Sequence, residues 1–114
     1  KLLSVLKGKI IDIVVDLRKN SKTFGKYVKI KLSSNKKQFL FIPVGFGHGF
    51  CTLEKNTLIS YKVDNHYSPK NEYTLSIFDN EINIKLGINK ENLILSKKDL
   101  NGKSFKELSN KFKF

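Results

Sequence analysis

The 114-residue chain has no tryptophan, no methionine, one cysteine, two prolines, two histidines and, among its 22 basic residues, a single arginine, Arg18. Each scarcity excludes something. One cysteine, Cys51, cannot close an internal disulfide, so the fold cannot be a stapled secreted scaffold, and a reducing cytoplasm is the expected compartment. No apolar stretch reaches the length of a membrane span. Two histidines in different loops and one cysteine spell no zinc or iron spacing; such a site would need a third ligand supplied by the fold. Cys51 follows Phe50 inside an apolar run with no nearby base, which argues against nucleophilic catalysis. Without an arginine-rich arm or zinc-finger spacing, a dedicated nucleic-acid module is not expected, although ten acids against 22 bases leave a charge of +12. The lysines are scattered, and the surplus points instead to a small anionic ligand.

What is present is β-pattern. Nine Phe and four Tyr supply bulk, and short alternating runs are separated by glycine or polar turns. Residues 2–6 read as a strand ending at Gly8, and 9–18 as a second. There Ile11, Ile13, Val15 and Leu17 share one face and Asp12, Val14 and Asp16 the other. The paired carboxylates fit a solvated or capping role, with catalysis as the alternative. In 26–32, Val28, Ile30 and Leu32 are expected inward, with Lys29 and Lys31 outward. Further strands are expected at 57–63, with Tyr61 between Ile59 and Val63 on a core-facing side, at 73–78 and at 82–86. Ser96–Asp99 and Ser104–Glu107 have the spacing of helix N-terminal capping boxes. They predict a helical turn near Asp99 and a terminal helix through about residue 112. About seven short strands with regular turns give an all-β antiparallel sandwich or barrel with a helical tail. At this length one domain, 1–114, accommodates it.

The organising stretch is 39–53, FLFIPVGFGHGFCTL. Pro43 ends the first strand because it offers no ladder N–H. Gly45, Gly47 and Gly49 then let the backbone reverse around His48. The histidine is either a hydrogen-bonded hairpin corner or a ring that glycines allow a ligand to approach. Pro43-x-Gly45-x-x-His48 is similar to a motif of metal-binding cupins, which keeps a metal-dependent oxygenase or isomerase as an alternative.

A fuller set of motifs runs along nearly the whole chain. It comprises Lys1-Leu-Leu, Asp12-x-x-x-Asp16-Leu-Arg18, Ser21-x-Thr23-Phe24-Gly25, Leu32-Ser33, Ile42-Pro43-x-Gly45-Phe46-x-His48-Gly49-Phe50, Tyr61-Lys62, Tyr67-Ser68-Pro69 and Leu95-Ser96-x-Lys98-Asp99. In this order and spacing it resembles the dTDP-4-dehydrorhamnose 3,5-epimerase family. The resemblance implies a cupin-like jelly roll that works without metal or other cofactor. It implies a homodimer and a nucleotide-linked 4-keto-6-deoxy sugar as substrate, with no nucleic-acid or membrane partner, in deoxysugar synthesis for cell-surface polysaccharide. It implies Tyr61 as proton donor and Lys1 as the cation that steadies the enolate oxygen. His48, Glu72 and Lys98 are implied as substrate-binding residues, and Asp99 as the acid that orients a base histidine. That histidine belongs to an Arg-Gly-Leu-His segment upstream of Lys1 in the family and is absent here. The chain therefore reads as the C-terminal portion of a cupin-like epimerase domain, inactive by itself. His66 stands where the family has tyrosine, and Phe41 and Phe78 where tryptophan is common; the latter two read as core changes. Related epimerases that invert only C3 or C5, or act on other nucleotide-linked hexoses or heptoses, share most of these motifs.

Overall fold

The computed structural model describes all residues, Lys1–Phe114. Six strands run β1 (Leu2–Lys7), β2 (Lys9–Asp16), β3 (Tyr27–Ser33), β4 (Phe39–Phe41), β5 (Phe46–Thr52) and β6 (Leu58–Lys62), followed by two short helices, α1 (Lys97–Leu100) and α2 (Phe105–Ser109). They form two three-stranded antiparallel sheets, ordered β4-β1-β6 and β3-β2-β5. The chain crosses from one sheet to the other at Gly8. Its φ of +86° suits glycine, and a Cβ there would lie 2.4 Å from the Thr57 hydroxyl oxygen.

The register fixes what faces what. Leu3 lies opposite Leu40 and Tyr61, and Val5 opposite Ile59, so these side chains share one face of the first sheet. Ile10, Asp12, Val14 and Asp16 share one face of the second, in rows with Thr52, Phe50, His48 and Phe46 of β5. The two faces meet in a core of Leu3, Val5, Ile10 and Leu32, with Ile30, Leu40 and Ile59 against it. This core fills the sandwich near Gly8. Away from it the inward residues are less covered: Val28, expected inside, is 56% exposed, and Tyr61, expected in the core, is 59% exposed.

The opposite face of β2 is also covered. Ile11, Ile13 and Val15 pack on Ile82, Phe105, Leu108 and Phe112 from the C-terminal segment. Burial on both faces makes β2 the central element. It also corrects the expectation of solvated carboxylates: Asp12 and Asp16 are among the most buried residues of the chain.

The strands expected at 73–78 and 82–86 do not form. Only an isolated bridge between Leu75 and Lys103 is present. The alternation there reflects burial of Leu75, Ile77, Ile84 and Leu86 against the core without a ladder. Asn83, at φ +53°, breaks the extended run. Buried Asp79 organises the segment instead, accepting the N–H of Ile82 at 2.8 Å and of Phe105 at 2.7 Å. Both capping signals are realised: Ser96 Oγ accepts from the Asp99 N–H, and Ser104 with Glu107 forms a reciprocal capping box. The terminal helix stops at Ser109, although Phe112 beyond it remains buried. Phe41 and Phe78 are not core residues, being 68% and 38% exposed. No helix is long and apolar enough to cross a membrane.

Candidate active site

The end of the inter-sheet space away from Gly8 gathers the residues with chemistry. His48 sits in β5 opposite Val14, with the preceding β-turn made possible by Gly45 at φ +93°. A Cβ at Gly45 would lie 2.7 Å from Arg18 Cγ. The His48 ring is nearly buried, and its Nε2 lies 2.7 Å from Asp12 Oδ2. An ionised carboxylate can only accept, so Nε2 carries the shared proton and Nδ1 is the nitrogen left for another partner. Asp12 Oδ1 is buried without a hydrogen bond. That cost would not be retained by a strand optimised for stability alone, and departures of this kind collect at functional positions.

Asp12 was legible only in part. An acid inside Lys9-Ile-Ile-Asp-Ile-Val-Val-Asp16 interrupts a run apolar on both faces, which demands a buried partner. The partner's identity depends on the β2–β5 register, which the sequence does not display.

Across the space, Tyr61 projects from β6, and the ammonium of Lys1 stands 5.2 Å from the centroid of its ring. The main-chain nitrogen of Lys1 donates to the Ile42 carbonyl at 2.9 Å, which seats this residue beside β4. The Tyr61 hydroxyl makes no hydrogen bond within the chain, leaving it free to serve a ligand. These two predicted residues are brought together.

Glu72 and Lys98, 26 residues apart, are also brought together. The Lys98 ammonium donates to Glu72 Oε1, and the Tyr67 hydroxyl donates to Oε2 at 2.8 Å. The Lys98 ammonium, then the Tyr67 hydroxyl, holds the Glu72 carboxyl below its ordinary pKa. The same contacts raise the pKa of Lys98 and of Tyr67, so both remain proton-bearing donors at neutral pH. Asp99 follows Lys98 on α1, and its charge adds to those that raise the Lys98 pKa. Its N–H is engaged by Ser96, but its carboxylate is exposed, with no hydrogen-bond partner and neither His48 nor His66 against it. The paired role implied for it has no partner within these 114 residues. His66 lies in an exposed loop. No cluster of three or more His, Cys, Asp or Glu side chains is arranged to hold a metal ion.

Asp16, at the end of β2, steadies the connection that leads from β2 into β3. Its carboxylate accepts from Arg18 Nε at 2.9 Å and Nη2 at 2.8 Å, from the Arg18 N–H at 3.0 Å, and from the Ser21 and Thr23 hydroxyls. Arg18 in turn lies over the Phe46 ring at 4.5 Å. The Arg18 guanidinium holds the Asp16 carboxyl far below the usual carboxylate range, despite burial, which pushes the other way. A depressed folded-state pKa contributes stability above the unfolded value, near pH 4, and loses it as pH falls further. Thermal unfolding followed against pH should therefore show Asp16→Asn lowering the Tm at pH 7 and flattening its acid-side decline. An unchanged acid slope would remove Asp16 as the source.

The model of the family described as dTDP-4-dehydrorhamnose 3,5-epimerase matches residues 1–107. The chain belongs to the dTDP-4-dehydrorhamnose 3,5-epimerase family. A curated member from Shigella flexneri is 43% identical over 105 residues, covering 92% of this chain and 57% of that protein. The crystal structure of a member from Elizabethkingia anophelis superposes with a TM-score of 0.89 at 40% identity, over 93% of this chain and 58% of that one. A Legionella pneumophila enzyme, solved in complex with dTDP-4-keto-L-rhamnose, gives 0.89 at 35% identity over 97% of this chain and 58% of its own. The all-β, cupin-like fold expected from the sequence is the fold of these family members. The chain spans a little under three fifths of the length of these relatives.

Proposed function

We propose that this chain is the C-terminal portion of an epimerase that inverts C3, C5 or both of a nucleoside-diphosphate-linked 4-keto-6-deoxy sugar. The observation that carries the proposal is the inward-facing Tyr61 with the Lys1 ammonium beside its ring, on the sheet opposite the His48–Asp12 pair. Protons on C3 and C5 of such a sugar are acidified by the C4 carbonyl. Inversion requires a base on one face, an acid on the other and positive charge near the enolate oxygen. Tyr61 is the acid, because a phenol is neutral near pH 7 and its hydroxyl has no competing partner. Lys1 supplies the charge that offsets the developing enolate. His48, fixed by Asp12 and offering Nδ1, holds the sugar. Lys98 and Glu72 serve the nucleotide, and of the two it is the lysine that meets the diphosphate, as a point charge. Asp99 orients the base, a histidine contributed from outside these 114 residues.

The Legionella relative's bound dTDP-4-keto-L-rhamnose supports a thymidine-linked substrate. The proposed assembly is a homodimer, and one unpaired cysteine fits a reducing cytoplasm. The test is solvent exchange. The full-length protein, given dTDP-4-dehydro-6-deoxyglucose in deuterated water with EDTA, should place deuterium at C3, C5 or both as the centres invert. Turnover that stops with EDTA would favour the metal-dependent cupin reading, and absence of deuterium with any such sugar would remove the proposal.

A further inference from the structure

We infer that the Glu72 carboxylate is an internal stand-in for an anionic ligand at Lys98, so that a diphosphate binds by displacing Glu72 and thereby unlatches residues 63–72. The inference rests on the reading of Lys98 as a phosphate-binding residue, and adds how that site is held before its ligand arrives.

Two features of the loop carry it. Residues 63–72 are exposed throughout. The hydrogen bonds they make are nearly all internal: Asn71 N–H to the Ser68 carbonyl, Glu72 N–H to the Pro69 carbonyl, Asn71 Nδ2 to Ser68 Oγ, and Tyr67 to Glu72. The one hydrogen bond that ties the loop to a distant part of the chain is that from Lys98 to Glu72. The same lysine is thus both latch and proposed phosphate ligand.

Both oxygens of the Glu72 carboxylate are used, one by Lys98 and one by Tyr67, and the charge of Lys1 adds to the attraction. The carboxylate therefore sits where an incoming phosphate would, with its charge answered by the same cations. A diphosphate brings more charge and more acceptor oxygens than a carboxylate, and like charges sharing one ammonium repel. The latch is also weak enough to exchange. Side chains of Lys98 and Glu72 are 55% and 34% exposed, and ion pairs at the surface hold loosely. Release would free Tyr67 to move with the loop.

Inorganic pyrophosphate, which carries neither base nor sugar, isolates the exchange. Titration calorimetry at fixed low ionic strength should show Glu72→Gln binding pyrophosphate about three- to tenfold more tightly than wild type. Tyr67→Phe, which removes one tether, should shift affinity the same way by a smaller factor, and Lys98→Gln should weaken binding. Pyrophosphate should also lower hydrogen-exchange protection at the Asn71 and Glu72 amides of the wild type, the two in this loop that donate hydrogen bonds. Equal or weaker binding by Glu72→Gln, with Lys98→Gln impaired, overturns the exchange while leaving the phosphate role of Lys98 standing. Equal binding by wild type and Lys98→Gln overturns both. Protection that does not fall on binding overturns the unlatching.

Discussion

Tyr61→Phe should lower the rate of inversion by about 10²- to 10⁴-fold, the range expected when a positioned general acid is removed. Substrate binding should change little, because the ring remains for Lys1 to face and only the hydroxyl is lost. The fold should not suffer, since the side chain is exposed and its hydroxyl bonds to no other residue. The informative reading is the separation of two events. If Tyr61 delivers the proton from the face opposite the base, the variant can still remove a proton and return one to the same face. Deuterium would then enter the sugar with retention while inversion fails. A fall in kcat with KM held marks an interaction made in the transition state. Loss of exchange and inversion in equal measure would instead make Tyr61 the abstracting group, and an unaffected rate would remove it from the chemistry.

Asp12→Ala should cost about 1–3 kcal/mol in urea unfolding, the range for leaving a buried polar group without its hydrogen-bond partner. The size follows from burial: Asp12 is fully enclosed, and its Oδ2 is the partner of His48 Nε2. The same change should weaken substrate binding, because the imidazole loses the contact that sets its rotamer and directs Nδ1 outward. Pairing it with His48→Ala separates the interaction from the cavity. The double variant should be less destabilised than the sum of the singles, by a coupling of about 1–3 kcal/mol for groups in contact. Strict additivity would mean that the two side chains, although 2.7 Å apart, do not hold each other.

The comparison of sequence with structure turns on where each signal resides. The first three strands and β4 were legible to within one or two residues at their ends, because period-two patterning and Gly8 or Pro43 punctuation are local. The reversal expected around His48 was not, because β5 already begins at Phe46, His48 lies mid-strand opposite Val14, and β4 and β5 belong to different sheets rather than to one hairpin. The strand expected at 9–18 stops at Asp16 because that carboxylate turns back on the Arg18 N–H, a local bond that outcompetes the ladder. Residues 82–86 misled for the opposite reason. Their alternation is real, but it records packing on the outer face of β2, and Asn83 at positive φ precludes a strand.

The site divides along the same line. The family resemblance singled out His48, Tyr61, Glu72, Lys98 and Lys1, and the fold brings them into two pairs plus one histidine. What spacing could not reveal was the contact between Asp12 and His48, 36 residues apart, since it depends on the β2–β5 register. Nor could it foresee that Tyr61 and Val28 would face inward yet stand exposed. Their covering depends on how far the first core extends, which is set by Leu3, Val5, Ile10 and Leu32 together. Asp99 is the converse case: its motif is complete, but the partner that would give the carboxylate a role is not among these residues.

The account rests on Tyr61 and His48 facing one sugar-binding space from opposite sheets. The most direct measurement is a crystal structure of the full-length protein with a bound nucleoside-diphosphate 4-keto-6-deoxy sugar. The predicted result puts the sugar ring between the two sheets, the Tyr61 hydroxyl about 3–3.5 Å from C3 or C5, and the diphosphate on Lys98. A sugar bound on an outer face of either sheet, or one out of reach of the Tyr61 hydroxyl, would contradict it.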